Sequence, residues 1–205
     1  MVRRVYSLTT LPFCENVDGM KTTNSRATGA GDRGMTKLFS GERVPKNSER
    51  TDAFGDLDEL VSILGVARAS SRHSAVREAI LDIQRNCFVI GSELATTADK
   101  AKRLLVRVDA AMVHDLDRRH QALQARMKRL EGFIVPGGSS SAAHIDLARA
   151  IARRCERKVA GLVLGRAVRN QLLLVWMNRL SNYLWYLARL EEGKSTMVKS
   201  PKSKV

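Results

Sequence analysis

Val76, Ile80, Ile83, Cys87, Ile90 and Leu94 recur at alternating steps of four and three residues. An α-helix gathers that spacing onto one face, so the stretch predicts a helix over Ser74–Ala95 with a bundle-type seam. A similar rhythm in Val113, Leu116, His120, Leu123, Met127 and Leu130 predicts a helix over Asp109–Glu131. His120 falls in that stripe and reads as a satisfied or partly exposed core histidine rather than a ligand. A first helix is expected over Thr51–Ala69, with Thr51 or Asp52 as its N-cap. A fourth starts at the Ser139-Ser140-Ser141 cluster and runs to Leu162, and a fifth covers Val168–Leu190. The segment from Gly132 to Gly138 interrupts the pattern, because Pro and Gly end helices. Five helices with short connections and few strands imply an all-α, up-and-down bundle.

The 205 residues suffice for one domain with its own core. No apolar run approaches the roughly 20 residues that span a bilayer, which argues against a membrane protein. Three parts are expected: a flexible arm over 1–27, a helical domain over 28–192, and a basic disordered tail over 193–205. The net charge of +14 raises the question of nucleic acid. Part of it lies outside any expected core, in Arg3, Arg4, Lys21 and Arg26 of the arm and Lys194, Lys199, Lys202 and Lys204 of the tail. Such segments are either solvated chain or targeting and binding elements. The first fourteen residues carry Arg3, Arg4, Ser7, Thr9 and Thr10 without an acid, which resembles a mitochondrial transit peptide, although Glu15 and Asp18 follow closely. The expected location is mitochondrial in a eukaryote and cytoplasmic otherwise. Cys14, Cys87 and Cys155 form no CxxC pair; Cys87 and Cys155 fall on apolar helix faces as buried free thiols.

Three segments carry candidate chemistry. On the fourth helix Ala148, Ile151, Ala152, Cys155, Val159 and Leu162 make an apolar face, while Arg149, Arg153, Glu156 and Arg157 gather on the opposite side. Guanidinium groups so arranged bind polyphosphate through planar forks of N–H donors, with the carboxylate orienting one Arg or accepting from a ribose hydroxyl. A solvated face with internal Glu–Arg pairs is the plainer alternative. The fifth helix is apolar except for a stripe of Asn178, Ser181, Asn182 and Arg189, which needs either a structural hydrogen-bond network or a ligand. The third segment, Thr28 to Thr36, is rich in Gly, so its backbone N–H groups can approach phosphate oxygens; Lys46 follows as a mobile cation. That loop lacks the P-loop signature and on its own is no more than a loop. No Glu-x-x-His of a di-metal bundle occurs, and no nucleophile elbow.

The order of motifs is more specific than any one of them. Thr28 to Thr36 reads T-x-x-G-D-x-G-x-T. Leu38-Phe39-Ser40-Gly41-Glu42-Arg43 and Pro45-Lys46 follow, then Ala53-Phe54-Gly55-Asp56-Leu57-Asp58-Glu59-Leu60. Phe133 to Gly138, the run from Ala148 to Arg157, and Asn178-Arg179-Leu180-Ser181-Asn182-Tyr183-Leu184 complete the series. Over residues 28–190 this string resembles the PduO-type ATP:cob(I)alamin adenosyltransferases.

The resemblance implies a five-helix bundle that forms a homotrimer, with ATP, cobalamin and Mg²⁺ at subunit interfaces. It implies an enzyme that moves the 5′-deoxyadenosyl group of ATP to cob(I)alamin and releases triphosphate. By motif match the ATP site comprises Thr28, Gly29, Ala30, Gly31, Thr36, Lys46, Arg153, Arg154, Glu156, Arg157 and Asn178. Arg153, Glu156 and Asn178 are the residues expected to serve catalysis. Asp58 and Arg149 match a pair that joins subunits, and Phe133 matches the aromatic on the lower corrin face. Further partners implied are a cobalamin reductase and an adenosylcobalamin-dependent mutase. Gly29 stands where the family usually has Arg or Lys, Val61 where it has Asn, and Asn182 where it has Asp. Two rivals remain: a basic helical nucleic-acid-binding protein, which explains the charge but not the ordered motifs, and a cobalamin carrier of the same fold without turnover.

Overall fold

The computed structural model describes residues 29, 31–127, 133–193 and 196–198. In chain order the elements are β1 (Met35–Lys37), β2 (Arg43–Pro45), α1 (Glu49–Ser70), α2 (Ser74–Leu94), α3 (Ala110–Arg126), β3 (Phe133–Val135), α4 (Ser140–Leu164), α5 (Leu172–Glu192) and β4 (Thr196–Val198), with a short 3₁₀ turn at Ala101–Arg103. The five expected helices are thus present among the described residues.

Local chemistry explains their boundaries. Ser48, not Thr51 or Asp52, caps α1, its Oγ accepting from Thr51 N–H at 3.4 Å. Thr51 instead lies buried in the first turn, its hydroxyl donating to the Lys46 carbonyl at 2.9 Å. Asp109 and Ser139 cap α3 and α4, accepting from Met112 N–H at 2.8 Å and Ala142 N–H at 3.2 Å. Helix α3 stops at Arg126, short of the expected Glu131, because Met127 turns extended. Its seam is only partly covered. Leu116 is buried, whereas Val113, His120, Leu123 and Met127 are half-exposed, so little packing supports a longer helix. Leu130 lies outside the described residues. Helix α5 begins at Leu172 rather than Val168; Asn170 breaks the run, its Oδ1 accepting from Leu172 N–H at 3.2 Å.

Helix α4 packs between α1 and α5; α2 covers α1, and α3 covers α5. The predicted seams of α2 and α4 are buried throughout. Leu60, Leu64, Ile80, Ile90, Leu173, Trp176 and Leu184 are fully enclosed, and burying each large aliphatic side chain contributes roughly 1.5–3 kcal/mol. Cys87 and Cys155 are buried free thiols; burial pushes Cys155 up to about 12 and Cys87 higher still. Arg50 ties three segments together, donating to the carbonyls of Leu94 at 2.5 Å, Thr96 at 2.9 Å and Ala167 at 2.6 Å.

Two antiparallel hairpins add to the bundle. β1 pairs with β2 directly after the Gly-rich loop, with Thr36 opposite Val44. β3 pairs with β4, with Phe133 opposite Val198 and Val135 opposite Thr196. Thr196–Val198, within the segment from residue 193, gain a backbone partner that composition does not reveal. Among the described residues, no helix is long and apolar enough to cross a membrane.

Candidate active site

The β1–β2 hairpin presents the Gly-rich segment. The Asp32 N–H donates to the Gly29 carbonyl at 2.9 Å and the Gly34 N–H to the Gly31 carbonyl at 3.2 Å, so the chain coils tightly into β1. Gly34 takes a φ of +72°, which a side chain would oppose. A Cβ on Gly31 would stand 2.9 Å from Lys46 Nζ, so the ammonium rests close over the glycine and would have to shift for a larger residue. The Lys46 N–H donates to the Gly34 carbonyl at 2.8 Å, fixing the lysine backbone to the same turn. The structure thus joins Gly31 to Lys46, with Thr36 on the adjoining strand. Thr28 and Ala30 lie outside the described residues.

The far end of this hairpin is anchored to the end of α2. Leu38 is buried, the Ser40 N–H donates to the Ala95 carbonyl at 3.3 Å, and the Thr97 N–H donates to Ser40 Oγ at 3.2 Å. Lys100 pairs with Glu42 at 2.5 Å. Hydrogen bonds from Lys100 and then Ser40 hold the Glu42 carboxyl down at about 2. Sequence reading missed this anchor, because Ser40, Glu42, Thr97 and Lys100 carry no periodic signal.

The polar surface of α4 divides into two sides. Arg154 faces α1, pairing with Asp56 at 3.2 Å and also with Glu59, and Lys158 joins Asp56 at 3.0 Å. Arg154 is therefore not gathered with the other arginines. On the other side Arg153 and Arg157 are exposed and Glu156 is half-buried. Arg157 donates to the Arg153 carbonyl at 3.1 Å. Among the described residues, no hydrogen bond or ion pair engages the Arg153 guanidinium or the Glu156 carboxylate, so the internal Glu–Arg pairing of a plain solvated face does not form. Arg149 lies 3.7 Å from Asp146.

The α5 stripe resolves into unlike parts. Ser181 is buried and donates to the Asn178 carbonyl at 3.1 Å. Arg189 is buried against Asp146 and Glu192. Asn178 and Asn182 are exposed. The structural network accounts for Ser181 and Arg189, and Asn178 and Asn182 keep side chains turned to solvent. Phe133 is 65% exposed on β3, an uncommon position for an aromatic. Asp58 is exposed on α1. Two residues from Asp56, it points about 200° around the helix from the side that meets α4. Among the described residues no ion pair joins it to Arg149, and none joins the hairpin to Arg153. His120 is half-exposed and packs its ring 5.0 Å from Tyr186; burial lowers its pKa, and the partly exposed reading is the one that fits.

A helical bundle with a glycine–lysine turn and an unpaired Arg–Glu face has a counterpart among known proteins. The family model described as cobalamin adenosyltransferase matches residues 26–191, and the chain belongs to that family. A corrinoid adenosyltransferase of Citrobacter freundii is 34% identical over 165 residues, covering 80% of this chain and 93% of the relative. Corrinoid adenosyltransferase PduO of Salmonella typhimurium is 36% identical over 81% of this chain, which spans about half of that relative, 49%. The human corrinoid adenosyltransferase MMAB is 31% identical over 83% of this chain and 71% of its own length. A variant PduO-type ATP:corrinoid adenosyltransferase from Lactobacillus reuteri, solved with cobalamin and ATP, superposes with a TM-score of 0.77. It is 28% identical and covers 88% of this chain and 98% of its own.

Proposed function

We propose that this chain transfers the 5′-deoxyadenosyl group of ATP to cob(I)alamin, forming adenosylcobalamin and triphosphate. Family membership supports the reaction. The observation that carries it to particular residues is the unpaired Arg153–Glu156 surface beside an Arg154 that is fully engaged elsewhere. Cob(I)alamin is the nucleophile: its cobalt lone pair forms the Co–C bond at the 5′ carbon as the C–O bond to phosphate breaks. The electron pair leaves with triphosphate, and cobalt ends formally as Co(III). No protein base is required.

The protein's task is to align the reactants and receive negative charge. Arg153 and Arg157 offer guanidinium forks to the triphosphate, and Glu156 orients Arg153 or accepts from the ribose. The Gly29, Gly31 and Thr36 segment, with Thr28 and Ala30, wraps phosphate oxygens under the Lys46 ammonium. Asn178 supplies an amide for orientation. Arg154 holds the α4 backbone against α1, so its part in ATP binding is to place Arg153. Exposed Phe133 covers the lower corrin face, where a side chain without donor atoms keeps that cobalt position free. Mg²⁺ suits phosphate oxygens and water as ligands. Among the described residues no group of three His, Cys, Asp or Glu side chains could hold a metal, so no protein ligand is assigned to it.

Among the described residues no hydrogen bond or ion pair joins the hairpin to the open side of α4, which supports a homotrimer whose site is completed by a second copy, with Asp58 meeting Arg149 across the interface. A reductase that supplies cob(I)alamin and a mutase that uses the product are the fitting partners. The compartment is mitochondrial in a eukaryote and cytoplasmic otherwise. Incubating the protein with ATP and chemically reduced cob(I)alamin should yield the adenosylcobalamin absorbance and one triphosphate per turnover. Absence of the absorbance, or release of pyrophosphate, rejects the reaction. A monomer that retains activity in sedimentation rejects the shared site.

A further inference from the structure

Arg189 lies in the last turns of α5 with only 3% of its side chain exposed. A guanidinium so deep needs carboxylates to balance it. Asp146 of α4 provides one, and Glu192 provides the other at 3.1 Å. The Glu192 side chain is itself enclosed, yet its Oε1 accepts the Gly138 N–H at 2.9 Å. A Cβ on Gly138 would overlap the Glu192 side chain, so a larger residue there would push the carboxylate aside. The buried chain of charges therefore ends on the turn between β3, which carries Phe133, and the Ser139 cap of α4. The same end of α5 grips β3 a second time: after Glu192 the chain turns at Gly193, φ +71°, and β4 pairs with β3.

We propose that Asp146, Arg189 and Glu192 form a positioning relay that fixes the Phe133 strand, and so sets how firmly Phe133 is held against the lower corrin face. This rests on the reading of Phe133 given above. A packing role alone would require only that the charges neutralise one another. The relay goes further, because the carboxylate that meets Arg189 through Oε2 also takes a backbone N–H from the loop through Oε1. Asp146 also lies beside Arg149, so the relay reaches from the corrin loop to the residue assigned to the subunit contact.

The test uses the full chain with ATP and cob(II)alamin, reading by visible and electron paramagnetic resonance spectra the fraction of cobalt without a lower ligand. Gly138→Ala displaces the Glu192 carboxylate from the loop N–H and leaves Arg189 its Asp146 partner. Glu192→Gln keeps an acceptor for Gly138 but weakens the hold on Arg189. Both should lower the four-coordinate fraction at least about threefold, as misplacement by a fraction of an ångström allows, while ATP affinity stays within about twofold of wild type. Arg189→Lys, which retains charge but loses the fork, should fall between them and wild type. Variants that melt earlier but keep the wild-type cobalt spectrum would reduce the relay to fold stability and overturn the proposal. A wild-type protein that makes adenosylcobalamin yet never shows four-coordinate cob(II) would overturn it together with the Phe133 reading, leaving the reaction itself standing.

Discussion

Arg153 and Arg154 are neighbours in sequence and opposites in circumstance. Arg154 turns toward α1, where Asp56 and Glu59 hold it. Arg153, about 100° around the same helix, is exposed and has no bonded partner for its guanidinium among the described residues. One backbone thus separates a charge used for assembly from a charge left open. The difference teaches that a cluster of arginines on a helical wheel is not one functional unit. What decides each member's role is the element packed against its side of the helix.

The strongest way to break this comparison is Arg153→Ala. If the open side receives triphosphate, removing this fork costs on the order of 100-fold in kcat/KM for ATP. The melting temperature should stay within about 2 °C, since no bonded partner is stranded. Steady-state kinetics and a thermal melt check both halves. A large loss of stability with little loss of activity would make Arg153 a structural residue like its neighbour.

Asp56→Asn probes the other side. It takes the ion-pair partner from Lys158 and one of two carboxylates from Arg154, which keeps Glu59, and both cations are partly exposed, which limits the cost. The expected outcome is a melting temperature lower by about 5 °C, with kcat close to wild type well below the melt. A drop in kcat that persists at low temperature would mean the α1–α4 junction tunes the open side directly, which would blur the division between them.

The sequence made one half of this division readable. Spacing alone gathers Arg149, Arg153, Glu156 and Arg157, and it places the buried seams of α2 and α4, because a period of 3.6 maps directly onto a face. It could not show that Arg154 is engaged, since that depends on Asp56 arriving from a helix almost a hundred positions earlier. The same limit hid Arg50, whose three acceptors come from two distant helix ends, and Glu192, whose acceptor role depends on a turn 54 positions away. Short strands were equally hidden, because pairing three residues needs a partner rather than a pattern. The ordered motifs nonetheless carried family membership, as order and spacing together are less easily matched by chance than any contact is inferred.

The smallest effect sharpens the comparison at a third place, the Glu42–Lys100 anchor of the hairpin. It is paired like Arg154, yet both side chains remain partly open to solvent. An exposed pair is screened by salt and weak at best, so Glu42→Gln should lower the melting temperature only slightly. Its pH dependence is the discriminating observation. The Glu42 carboxyl is held from its ordinary 4.5 down to about 2 in the fold, first by the hydrogen bond from Lys100 and then by that from Ser40. A depressed folded value means the contribution is present in full above about 4.5 and drains away as pH falls toward 2. Wild type and Glu42→Gln should therefore differ by a constant melting gap from neutral pH to about pH 5, and converge steadily below it, because protonated Glu42 and glutamine become near equivalents. Added salt should narrow the gap at neutral pH. If the gap holds constant down to about pH 3, then Glu42 acts through its shape and acceptor geometry rather than its charge. The hairpin would then be anchored by Leu38, the Ser40 bonds to Ala95 and Thr97, and uncharged contacts of Glu42.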